Sequence, residues 1–123
     1  MKTIAIIGAS NNPDKFGNKA VRAYQKQGWT IYPINPKEVM IGGLRAYQSV
    51  LDAPLPIDRI SLYVPSDVGL AIINDIAQVH PKEFFINPGA ESDELIAQAK
   101  KLGLEPILAC SIREIGEEPN SYE

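Results

Sequence analysis

The sequence is poor in the residues that most directed chemistry needs. It holds one cysteine, Cys110, among 123 residues, so no intramolecular disulfide framework can form. It holds one histidine, His80, which precedes Pro81 at the end of a helical pattern. That placement predicts a surface or capping role and leaves no imidazole for a Ser/His/Asp or Cys/His arrangement. No His/Cys cluster has zinc spacing and no acidic loop has calcium spacing, so no metal site is expected. Asp67 and Glu91 fall near helix starts, where acids usually complement the helix dipole. No catalytic residue stands out, which favours a binding module over an enzyme.

Basic excess is also missing. The formal net charge is −3, which offers no footprint for nucleic acid and no polybasic membrane patch. Long apolar runs are missing too. Lys2 precedes the short run Thr3–Ile7, which breaks at Gly8, too soon for a signal h-region or a membrane span. With no export or lipidation signal, a cytoplasmic location is the default expectation. The pattern carries no signal of oligomeric state or protein partner.

What is present is a single domain. Apolar residues make up 45% of the chain, and a domain of this size buries roughly two thirds of its unfolded surface. Residues 1–123 read as one unit with no linker or repeat. Thr3 to Ile7, Thr30 to Ile34, Arg59 to Val64, Glu83 to Ile86 and Glu105 to Leu108 read as five strands. Phe16, Ala20, Val21 and Tyr24 give a first helix stopped by Gly28. Ser66 reads as the N-cap of a second, with Val68, Ala71, Ile72, Ile76 and Val79 as its apolar stripe. Glu91 or Ser92 opens a third, with Leu95, Ile96, Ala99 and Leu102 inward and Gly103 as its stop. Residues 36–58 read as irregular, with a short helix near Gln48 to Leu51. The tail from about Glu114 is acidic, carries Pro119 and has a composition that permits mobility. This alternation predicts an α/β, Rossmann-like, doubly wound and mostly parallel five-stranded sheet with helices on both faces.

In a parallel sheet the segments after the strands share one edge, and ligands of open α/β sheets bind there. That edge collects Gly8-Ala9-Ser10-Asn11, Asn35-Pro36-Lys37, Val64-Pro65-Ser66, Pro88-Gly89 and Cys110. The first loop is small and polar and leads toward a helix N-terminus, a setting suited to phosphate. It is not the dinucleotide fingerprint G-x-G-x-x-G, because Ser10 replaces the second glycine and the loop runs on toward Gly17. A Gly- and Asn-rich turn is also an ordinary way to leave a strand. The second strand ends without the acid that usually meets the ribose of NAD. Lys37 stands there instead and suits a ribose phosphate, such as the 3′-phosphate of coenzyme A or the 2′-phosphate of NADP. The bland alternative is a solvated surface lysine. Pro65 and Pro88-Gly89 could line a groove or simply turn the chain. A lone Cys110 is most often a small buried hydrophobe. Its place at this edge also allows a mixed disulfide with a ligand thiol.

Taken in order, Ile6-Ile7-Gly8-Ala9-Ser10-Asn11-Asn12-Pro13, Tyr32-Pro33-Ile34-Asn35-Pro36-Lys37, Tyr63-Val64-Pro65, Asn87-Pro88-Gly89-Ala90-Glu91 and Cys110-Ser111-Ile112 carry a resemblance. The chain resembles the small stand-alone CoA-binding domain proteins of bacteria, from Ile4 to about Arg113. These are similar to the N-terminal CoA-binding domain of the succinyl-CoA synthetase α subunit. The resemblance implies coenzyme A or an acyl-CoA as the small-molecule ligand. It implies a phosphate role for Ser10, a nucleotide-phosphate role for Lys37, and groove positions for Val64, Pro65 and Gly89. The sequence has neither the second synthetase domain nor its phosphohistidine segment, so ligase activity is not implied. An NAD(P)-binding redox sensor or oxidoreductase-like protein is the alternative, and an interaction protein with a vestigial cleft is a further one.

Overall fold

The structure is a computed structural model and describes residues 2–123. Its frame is a five-stranded, wholly parallel sheet. The strands are β1 (Thr3–Ile7), β2 (Thr30–Ile34), β5 (Arg59–Leu62), β6 (Glu83–Ile86) and β7 (Pro106–Leu108). Their spatial order is β2-β1-β5-β6-β7. Helices α1 (Phe16–Lys26), α2 (Ser66–Val79), α3 (Asp93–Lys101) and α4 (Ser111–Glu114) complete the frame. The five strands, their parallel pairing and the three long helices agree with the sequence pattern.

Residue alternation along the strands divides the core in two. Ala5 and Ile7 of β1 join Ile60, Leu62, Phe84 and Ile86 on one face, beneath Ile73 and Ile76 of α2 and Leu95 and Ala99 of α3. Ile4 and Ile6 face the opposite way, toward Ala20, Val21 and Tyr24 of α1 and Ile112 of α4. Under α4 that second face turns polar. Arg59 is 4% exposed and Ser61 is fully buried. The Arg59 guanidinium bonds to Glu83, Glu114 and the Tyr24 hydroxyl, and lies between the rings of Trp29 and Phe85. Burial works against its charge, but those three partners hold its pKa above the ordinary value.

Several expectations are corrected in detail. Residues 36–58 are not wholly irregular: β3 (Met40–Ile41) and β4 (Leu44–Arg45) form a small antiparallel hairpin. The short helix near Gln48 is a 3-10 turn at Val50–Asp52, capped by the Ser49 hydroxyl. The third strand ends at Leu62, so Tyr63 and Val64 belong to the loop. Ser66 begins α2 rather than capping it; Pro65 holds the cap position and no side chain caps that end. The buried stripe of α2 is Gly69, Ile73, Ile76 and Val79, and Val68 and Ala71 are exposed. The tail does not hang free. Arg22 donates to the Tyr122 carbonyl at 2.6 Å, the Tyr122 hydroxyl donates to Glu117 at 2.6 Å, and Pro119 is buried. Those contacts clamp it along α1 despite its acidic composition.

Candidate functional site

The chain leaves β1 for β2, then passes back across the sheet to β5, so the winding reverses between β1 and β5. The strand-end loops part at such a reversal, and a crevice opens outside the carboxyl ends. A cavity of about 800 Å³ lies along it, within the usual size of a small-molecule site.

The floor is the loop from Gly8. Gly8 has a φ of +89°, and a Cβ there would lie 3.1 Å from the Val64 side chain. A Cβ on Gly17 would come within 2.0 Å of the Gly8 carbonyl oxygen, so the first turn of α1 rides directly on the loop. This is the close approach that helix glycines provide in phosphate-binding turns. The N-terminus of α1 has no side-chain cap and no acid in its first turn. By contrast, α3 has the Ser92 hydroxyl accepting from Leu95 N–H, with Asp93 and Glu94 in its first turn. The amides of Phe16 and Gly17 have no helix carbonyl to serve them, and both residues line the cavity. The open end of α1 therefore presents N–H groups and a positive dipole end to it.

Of the residues expected at the site, Gly8, Ala9, Ser10, Asn35, Lys37, Val64, Pro65, Pro88 and Gly89 line the cavity. Their tasks differ. Asn35 is a strut: its amide donates to the Ala9 carbonyl at 2.9 Å and its Oδ1 accepts from Lys37 N–H at 2.8 Å. The Ser10 hydroxyl accepts from Asn12 N–H, which folds the loop on itself. Gly89 has a φ of +94°, and its N–H already meets Glu91. Lys37 is exposed and has no ion-pair partner among the described residues.

Three expected residues lie elsewhere. Asn11 turns away to hold the hairpin, donating to the Met40 carbonyl at 2.9 Å and accepting from Gly42 N–H. Ser66 is taken into the first turn of α2 and does not line the cavity. Cys110, half-buried before α4, faces a separate cavity of about 170 Å³. Phe16, Tyr63 and Pro88 line both cavities. Tyr63 donates to or accepts from the Ser111 hydroxyl at 2.9 Å. Burial pushes its phenol well above the ordinary range, against the opposing pull of that bond, so it stays neutral.

Other cavity residues carry no clear sequence signal. Lys15 gives a second cation at the helix start, and Phe16, 55% exposed, stands over the cavity rather than in the core. Val68, Ile72 and Asp75 form one flank, and Gln48, Ser49 and Val50 contribute as well. Only Gly17 and the 3-10 turn had hints, in the long first loop and in the short helical pattern.

The fold and site together define a Rossmann-like domain with an open cleft at the carboxyl edge of its parallel sheet. The chain belongs to the CoA binding domain family, whose model matches residues 2–115. A conserved hypothetical protein from Pyrococcus furiosus superposes with a TM-score of 0.85 at 34% identity, covering 93% of this chain and 99% of that one. YneT of Bacillus subtilis, an uncharacterised protein, is 25% identical over 112 residues, 91% of this chain and 83% of its own length. The α subunit of ADP-forming acetate–CoA ligase II from Pyrococcus furiosus is 40% identical over 63 residues. That match takes in 50% of this chain but only 14% of the subunit. The chain thus spans a small part of the ligase relatives, and relatives occur in archaea as well as bacteria. Among the described residues no helix is long and apolar enough to cross a membrane, and no group of three or more His, Cys, Asp or Glu is placed to hold a metal ion.

Proposed function

We propose that this chain binds coenzyme A or an acyl-CoA as a binding module with no reaction of its own. The observation that carries the reading is the uncapped N-terminus of α1 seated on the Gly8 loop, with Lys15 and Lys37 unpaired beside it. Phosphate oxygens would take the free amides, and a lysine would face the ribose phosphate. The apolar edges of Val64, Pro65 and Pro88 suit the pantetheine arm. Among the described residues the cleft offers lysines, hydroxyls, apolar walls and one carboxylate, and no nucleophile paired with a base. Membership of the CoA binding domain family supports the same ligand.

Thermal melts with CoA, acetyl-CoA, dephospho-CoA, NAD and NADP test this. A ligand at a hundred times its Kd stabilises by about 2.7 kcal/mol, a clear shift. CoA is expected to shift the melt more than dephospho-CoA does. Lys37→Ala should weaken CoA roughly tenfold, about 1.4 kcal/mol, and leave dephospho-CoA nearly unchanged. A shift with NADP or NAD alone would replace this reading with the redox one, and no shift with any of them would reject both.

A further inference from the structure

Among the described residues the cleft has one acidic side chain, Asp75, on α2 rather than on the Gly8 loop. Val68, Ile72 and Asp75 follow at i, i+4 and i+7 on α2, a stripe beside the buried one at Gly69, Ile73 and Ile76. That spacing carries the flank about 10 Å along the helix. The 3-10 turn packs against α2 and brings Val50 to the same cavity, with Gln48 next to it. The result is a slot with apolar walls and a carboxylate at its far end. Asp75 is half-buried and makes no hydrogen bond or ion pair among the described residues.

A half-buried carboxylate facing a cleft must be met by a donor or it loses hydration on ligand entry. It repels phosphate, so the slot takes the uncharged end of the nucleotide. A flat base suits apolar walls. Adenine carries an N6 amine, which donates to a carboxylate; hypoxanthine and guanine carry a carbonyl oxygen there, which a carboxylate repels. A ribose hydroxyl is the poorer match, because in coenzyme A that sugar carries the 3′-phosphate. We propose that Asp75 is the base-selecting residue of the cleft, accepting a hydrogen bond from the 6-amino group of adenine and excluding 6-oxopurines. This rests on the reading of the cleft as a coenzyme A site.

The test compares CoA with desamino-CoA, in which oxygen replaces the N6 amine, by titration calorimetry on the whole chain. The wild type should bind CoA at least tenfold more tightly. Asp75→Asn is nearly isosteric, and its amide can accept from an amine or donate to a carbonyl. It should bring the two ligands within about threefold. Lys37→Ala should weaken both ligands alike and keep the wild-type ratio. Equal binding of the two by the wild type, or an unchanged ratio in Asp75→Asn, overturns the assignment while the coenzyme A reading stands. Failure of CoA itself to bind overturns both.

Discussion

At the scale of single residues, the site depends on where a side chain is absent. Gly8 and Gly17 let the β1–α1 loop and the first turn of α1 touch, and no other residue type could occupy position 17 without moving a backbone carbonyl. Gly17→Ala should therefore cost at least about 2 kcal/mol through overpacking, a melting shift on the order of 8 °C. It should also lower affinity for CoA, since the amides of the helix end would be displaced. A melt within 2 °C of the wild type, by an approximate ±0.5 kcal/mol criterion for neutral substitutions, would show that the approach relaxes freely. Gly8, Ser10, Lys37 and the Val-Pro and Pro-Gly turns are legible as cleft-lining positions because each falls in a segment right after a strand at the carboxyl edge of the parallel sheet. Phe16 is not legible as a cleft residue. It continues the Ala20–Tyr24 helical spacing, but its ring is 55% exposed and lines both cavities instead of joining the core.

At the scale of elements, helix starts show which local signals can be trusted. Ser66 and Ser92 look alike in sequence, each before an acid and an apolar stripe. Ser92 has extended backbone (φ −153°) and its hydroxyl accepts from Leu95 N–H at 3.1 Å. Ser66 is already helical because Pro65, fixed near its φ of −56°, takes the cap position. Ser92→Ala is thus expected to cost about 1 kcal/mol, roughly 4 °C in the melt. Ser66→Ala should stay within about 0.5 kcal/mol. Equal losses in the two variants would refute the distinction. The same element scale explains α2. Its apolar positions are more numerous than one buried stripe needs, and periodicity alone cannot separate the side that packs on the sheet from the side that walls a cleft. The β3–β4 hairpin was illegible for another reason: strands of two residues carry no period, and the hairpin is held by Asn11 from a distant loop.

At the scale of the whole molecule, alternation of strand and helix was enough to place every long loop at one sheet edge, and with it most of the cleft. Composition permits a mobile tail but is silent on specific partners, and the structure gives the tail several. Glu117 shows why the tail docks. Its carboxylate accepts from the Tyr122 hydroxyl and the Gln27 amide and pairs with Lys26 at 3.4 Å. The Tyr122 bond first, then Gln27, holds its pKa below the ordinary glutamate value, against a smaller opposing effect of burial. Tyr122 is pushed up to about 12 by the same carboxylate. A carboxyl whose folded pKa is depressed stabilises fully above its unfolded value, about 4.3, and that stabilisation is lost as pH falls through the folded value. Melts of the wild type and Glu117→Gln should therefore differ by a constant amount from pH 7 down to about 5 and converge below about 4. A gap of unchanged size between pH 5 and pH 3 would assign the effect of Glu117 to packing rather than charge. No residue after Cys110 lines the larger cleft, so CoA affinity at pH 7 should be the same in the two proteins within about twofold. A larger loss in Glu117→Gln would mean that the clamp on α1 also sets the position of its N-terminal end.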